Sequence, residues 1–157
     1  MVNVKTEIEI SVPLKIVFEY AINPDNAAEW YDNITSAEWI TSKPVSIGSQ
    51  IMFKANFLGR ELAYTYEVVE LIVNKKLAMK TSEGPFPMET TYEFKSLNEN
   101  LTYMSLTNKG VPSGFSKIFK PFMTFVMKKA NNKDLKKLKQ LMENKSKKKV
   151  NGEKITG

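Results

Sequence analysis

The chain has 157 residues, 42% hydrophobic and 25% charged, which is the size and make-up of one globular domain able to bury a core. It contains no cysteine and no histidine, which excludes disulfides, thiolate and imidazole catalysis, the Ser-His-Asp and Cys-His constellations and the usual zinc ligands. The net charge of +6 is uneven: residues 117–157 hold 13 lysines against Asp134, Glu143 and Glu153, a balance of +10, while residues 1–116 carry −4.

Val4, Thr6, Ile8 and Ile10 alternate with Lys5, Glu7 and Glu9, the period-two pattern of a strand with one buried face. Ser11 stands as an N-cap and Pro13 in the first turn of a short helix over about 13–22, with Ile16, Val17 and Tyr20 as its apolar stripe and Phe18 beside them. Asn23-Pro24-Asp25 ends that helix and opens a second brief one through about Glu29, closed by Trp30 and Tyr31. Six more strands follow, over 35–42, 49–58, 61–73, 76–82, 88–97 and 101–109, with turns at 43–48, Leu58-Gly59-Arg60, Asn74-Lys75, 84–87 and 98–100. Leu62, Tyr64, Tyr66 and Val68 share one face. So do Met88, Thr90, Tyr92 and Phe94, and likewise Thr102, Met104, Leu106 and Asn108.

Residues 110–114 break the last strand, and a long helical pattern runs over about 115–143. Phe115, Ile118, Phe119, Phe122, Val126 and Met127 trace its stripe, resumed by Leu135, Leu138, Leu141 and Met142. Pro121 kinks this helix or marks a start nearer residue 120. Residues 145–157, rich in lysine and poor in apolar groups, form a basic tail expected to be flexible or helical only by contact, beyond a single domain at 1–144. No run approaches the ~18 apolar residues of a spanning helix. The alternating N-terminus lacks the layout of a secretion signal, so a reducing cytoplasm is the expected compartment.

The order strand, two short helices, six strands, long helix resembles the START/Bet v 1-like (SRPBCC) superfamily, most closely its polyketide cyclase/dehydrase and lipid-transport branch. The resemblance is carried by the opening strand into Ser11-Val12-Pro13 and Val17-Phe18, by Asn23-Pro24 and Trp30, by Gly48, by Tyr64-Thr65-Tyr66-Glu67-Val68, and by Asp134-Leu135 and Leu138-Lys139. It spans about residues 3–143. It implies an α+β helix-grip fold, a curved seven-stranded antiparallel sheet around the long C-terminal helix. It also implies an apolar cavity between the two, for a lipid, polyketide-like or other hydrophobic molecule. No catalytic motif carries over.

In such a cavity Met52, Met79, Met88 and Met104 offer adaptable thioethers, Phe115, Phe119, Phe122 and Met123 form the helix wall, and Tyr64, Tyr66, Thr90, Tyr92 and Asn108 supply polar contacts. The competing reading is that these side chains pack a solid core. Strand parity turns Glu67 and Glu89 outward and no carboxylate pair shares a face, so no catalytic constellation is identified, and the sequence implies no metal or cofactor. Three functions stand: a binding or carrier domain for a small hydrophobic molecule, a cyclase- or hydrolase-type enzyme on such a molecule, and an interaction protein using the basic helix and tail. Lys128, Lys129, Lys133, Lys136, Lys137 and Lys139 spread around the helix without interleaved aromatics. That pattern fits weak contact with an anionic surface, not sequence-specific nucleic-acid binding.

Overall fold

The structure, a computed structural model, describes residues 2–57, 59–84, 87–110 and 120–156. In chain order it has β1 (Val2–Ile10), α1 (Leu14–Ala21), a 3-10 turn (Pro24–Asn26), α2 (Ala27–Trp30) and β2 (Ile34–Trp39). There follow β3 (Gln50–Phe57), β4 (Arg60–Ile72), β5 (Lys76–Glu83), β6 (Met88–Asn98), β7 (Leu101–Gly110) and α3 (Lys120–Thr156). One antiparallel sheet takes the order β1-β7-β6-β5-β4-β3-β2, and it curls around α3 as the expected α+β helix-grip arrangement. No described helix is long and apolar enough to cross a membrane.

Alternation decides which side of each strand is buried. Val2, Val4, Thr6 and Ile10 of β1 face inward, as do Ile51, Phe53 and Ala55 of β3 and Tyr92 and Phe94 of β6. Register shifts in β4 at Thr65/Tyr66 and Val68/Glu70 add local twist where the sheet must bend. The β4–β5 turn places Asn74 at φ 60, a left-handed conformation that asparagine tolerates better than most residues. After β5, Gly84 adopts φ +156, and a Cβ there would lie 2.9 Å from Tyr64 Cβ. Glycine is what lets this crossing come so close.

The main core joins the inner sheet face to Val17, Phe18 and Ala21 of α1, Ala27 and Trp30 of α2, and Leu135, Leu138 and Met142 of α3. A smaller cluster of Val2, Val4 and Met123, with Met127 against it, closes the other end of α3 onto β1. Hydrogen bonds fix this docking: Lys139 Nζ donates to the Glu9 carbonyl at 2.7 Å, and Glu143 Oε1 accepts from Lys139 at 2.9 Å and from the Ser11 N–H at 3.3 Å.

Several local expectations are corrected. Pro13, not Ser11, occupies the N-cap of α1, without a side-chain cap, since α1 begins at Leu14, three residues beyond Ser11. Ile16 is 48% exposed, and the eight-residue helix buries Val17, Phe18 and Ala21 instead. Along α3 the inward face runs through Met123, Asn131, Asp134, Leu135, Leu138 and Met142, so Phe122, one residue before Met123 and about 100° around the helix, is 55% exposed. Phe115, Ile118 and Phe119 lie outside the described residues. The helix itself continues through Thr156.

Candidate ligand cavity

Between the sheet and α3 lies a cavity of about 170 Å³. Its sheet wall comes from Phe53 and Ala55 of β3, Leu62, Tyr64 and Tyr66 of β4, Leu77 and Met79 of β5, Met88, Thr90 and Tyr92 of β6, and Asn108 of β7. Ala21, Pro24, Ala27 and Tyr31 close one end, and Met123, Met127, Ala130, Asn131 and Asp134 of α3 form the roof. Eight residues expected from sequence therefore meet here: Tyr64, Tyr66, Met79, Met88, Thr90, Tyr92, Asn108 and Met123.

Three described candidates lie elsewhere. Met52 falls on the opposite side of β3 from Ile51 and Phe53, in register with Glu38 and Thr65. Met104 is fully buried but stands between Ile8 and Phe94 in the solid core. Phe122 points to solvent, for the helical-phase reason above.

The cavity wall is aromatic and its polar groups are organised. Tyr64 and Tyr66 meet edge to face at 5.3 Å, Phe53 lies 5.9 Å from Tyr66, and Trp30 stands behind Tyr31 and Tyr92 at 4.1 and 5.7 Å. Thr90 Oγ1 donates to Asn108 Oδ1 at 2.7 Å, so its single proton is used, and Tyr66 must donate to Thr90 at 2.8 Å. Asn108 Nδ2 in turn donates to Asn131 Oδ1 at 3.1 Å. The chain of donors runs in one direction, from Tyr66 to α3, and leaves the buried Asn131 Nδ2 without an acceptor among the described residues. At the other side, the Tyr31 and Tyr92 hydroxyls share a short hydrogen bond.

Asp134 is the carboxylate of this roof. It is almost fully buried, and its Oδ1 accepts the Asp32 N–H at 3.0 Å. Burial pushes its pKa up to about 6, against the opposing pull of that N–H and of Lys133 and Lys137, with the Asp32 charge adding to the rise. Burial also raises Tyr66 to about 12 and lifts Tyr31, Tyr64 and Tyr92 above the ordinary tyrosine range. Near neutral pH the tyrosines are therefore neutral hydroxyls, and Asp134 is the group that can change charge. Asp134 and Asn131 are absent from the sequence-derived candidates. The available signal is their i, i+3 spacing inside the apolar series Met127, Leu135, Leu138, where polar residues interrupt a buried stripe. Among the described residues no cluster of carboxylates could hold a metal ion.

The raised pKa has a signed consequence. Ionising Asp134 in place costs the fold, a cost absent below about pH 4, growing as pH rises through about 6, and complete above that. Asp134→Asn keeps an oxygen for the Asp32 N–H and cannot ionise. It is expected to raise Tm by a few degrees at about pH 8, with the gain shrinking toward about pH 5. Paired thermal melts across that range check this, and a gain that grows on acidification would refute it.

The family described as polyketide cyclase / dehydrase and lipid transport matches the chain over residues 1–143. No curated protein matches it in sequence. Among solved structures, the protein TTHA0849 of Thermus thermophilus is similar at TM-score 0.79 and 19% identity, over 92% of this chain and 99% of its own. The Zhui aromatase/cyclase of Streptomyces sp. R1128 is similar at TM-score 0.78 and 14% identity, over 92% and 94%. A START superfamily protein of Mycobacterium smegmatis is similar at TM-score 0.76 and 12% identity, over 90% and 97%. At these identities the likeness is one of fold.

Proposed function

We propose that this chain, which belongs to the polyketide cyclase/dehydrase and lipid transport family, binds a small, mainly apolar molecule in the cavity beneath α3. The observation that carries the reading is an aromatic- and methionine-walled space of about 170 Å³ with one carboxylate, Asp134, in its roof. A dry cavity of about 150 Å³ is enough to hold benzene. As it stands, then, the space suits a single ring or a short branched chain, and Asp134 favours a ligand whose polar end donates a hydrogen bond or carries positive charge. A larger lipid or polycyclic molecule requires Met79, Met88, Met123 and Met127 to change rotamer, which unbranched thioether side chains do readily. Native mass spectrometry of gently purified protein, followed by thermal melts with ring-sized ligands such as indole and benzyl alcohol, tests the reading. The expected result is a saturable rise in Tm of several degrees. No bound mass and no shift with any apolar probe would reject it.

A second reading, an enzyme of the cyclase type, is favoured by one observation: an aspartate with a pKa of about 6 among neutral tyrosine hydroxyls, which suits proton transfer near neutral pH. The aromatase/cyclase among the structural relatives shares this fold. The two readings separate on Asp134→Asn: loss of turnover with binding retained marks an enzyme, whereas a carrier loses only its preference for donor-bearing ligands.

A further inference from the structure

The opposite side of α3 carries a feature that the cavity does not use. Phe122 and Phe125 are 55% and 66% exposed, an unusual investment of large apolar area in solvent. At about 100° per residue, 122, 125, 129, 133, 136 and 140 lie on one face of the helix, turned away from the inward face that carries Met123, Asn131, Asp134 and Leu138. The outer face continues from the two phenylalanines into an exposed tract lined by Lys128, Lys129, Lys133, Lys136 and Lys137. Asp32 is the acidic residue lining that tract, and it is already paired with Lys133 at 3.0 Å. The other four lysines have no ion pair within 4 Å among the described residues.

Lys129, Lys133 and Lys136 lie on the same face as the two phenylalanines, and Lys128 and Lys137 flank it on either side. An acidic protein partner would match the charge but gives no reason for two solvent-exposed phenyl rings beside it. A bilayer surface matches both: acyl boundary for the rings, anionic headgroups for the ammonium groups.

We propose that the outer face of α3 docks on anionic membrane surfaces, Phe122 and Phe125 entering the interface while Lys128, Lys129, Lys136 and Lys137 contact lipid headgroups. This surface is independent of the cavity reading: the same turns of α3 direct Met123 and Met127 the other way, into the cavity roof.

Co-sedimentation of the full chain with vesicles of phosphatidylcholine alone, or with about one-third phosphatidylglycerol, reads the effect. Binding is expected only with phosphatidylglycerol, to weaken in high salt, and to fall about tenfold or more in Phe122→Ala/Phe125→Ala. Both rings are exposed, so this variant should keep the wild-type Tm, which is measured alongside. As a second readout, Phe125→Trp should add emission that shifts to the blue on anionic vesicles, beyond any change shown by the wild-type protein. Equal binding by the double alanine variant, or no blue shift, overturns the proposal. So does tighter binding to double-stranded DNA than to the vesicles with no dependence on the phenylalanines, which would mark a general polyanion surface.

Discussion

Replacing Trp30 with alanine is expected to destabilise the fold by about 3–5 kcal/mol. Trp30 is fully buried, packs against Tyr31 at 4.1 Å and Tyr92 at 5.7 Å, and links α2 to the main core. Its removal leaves a void beside an existing cavity, where the surroundings cannot collapse without distorting the Tyr31–Tyr92 contact. Its indole N–H, however, has no acceptor among the described residues. Trp30→Phe loses part of the ring but also discards a buried donor whose isolation costs on the order of 1–3 kcal/mol. That variant should therefore lose well under half as much as the alanine. Urea unfolding at constant m-value measures both. An alanine variant within about 1 kcal/mol of wild type would mean that Trp30 is not the keystone its burial implies.

Ala55→Phe should abolish ligand binding while leaving a folded protein. Ala55 is buried on the inner face of β3 and lines the cavity. A phenyl ring built there occupies about the volume of one benzene, roughly the amount such a cavity holds. Strain from overfilling is expected to stay within about 1–3 kcal/mol, since the added atoms enter existing space. Affinity for a ring-sized probe should fall by two orders of magnitude or more, with Tm lowered by no more than about 10 °C. Undiminished binding by a folded variant would place the ligand site elsewhere on the molecule.

The contrast between strands and long helix shows what the sequence could disclose. In β6 the period of two is nearly unbroken and the face read from Thr90-Tyr92-Phe94 is the buried one. In β4 and β7 Tyr66-Val68 and Thr102-Met104-Leu106 are buried as read, but Thr65 and Ser105 on the other parity are buried too, and in β4 the register shifts beside Thr65. Met52 groups with the other methionines by chemistry, although its own alternation with Ile51 and Phe53 turns it outward. The start of α3 defeats the same reasoning. Phe122 and Phe125 on one side compete with Met123 and Met127 on the other, with Val126 between them, so apolar periodicity alone cannot choose between the faces. Following the stripe backward from Leu138 through Asn131 does choose, but it requires accepting polar residues in the core. The cavity's polar groups are illegible for a different reason. Asp134 is held by the Asp32 N–H from 102 residues away, and Asn131 by Asn108; such pairings exist only once the helix has been laid across the sheet.

The placement of β1 at the sheet edge beside β7 has a temporal side. β1 is made first, yet its one strand neighbour is made last: Thr6 pairs with Leu106. On a translating ribosome the β2–β7 meander can zip hairpin by hairpin as it emerges, while Val2, Val4 and Ile10 remain exposed apolar groups with nothing to cover them. Only after β7, and then α3 with Met123, Leu135 and Leu138, has left the exit tunnel can the N-terminal strand be captured and the core sealed. The final step in building this domain is thus the recruitment of its earliest residues, a long loop closure that slows folding. During that interval the open flank of β7 is a ready template for any other unpaired strand, including the first strand of a neighbouring nascent chain.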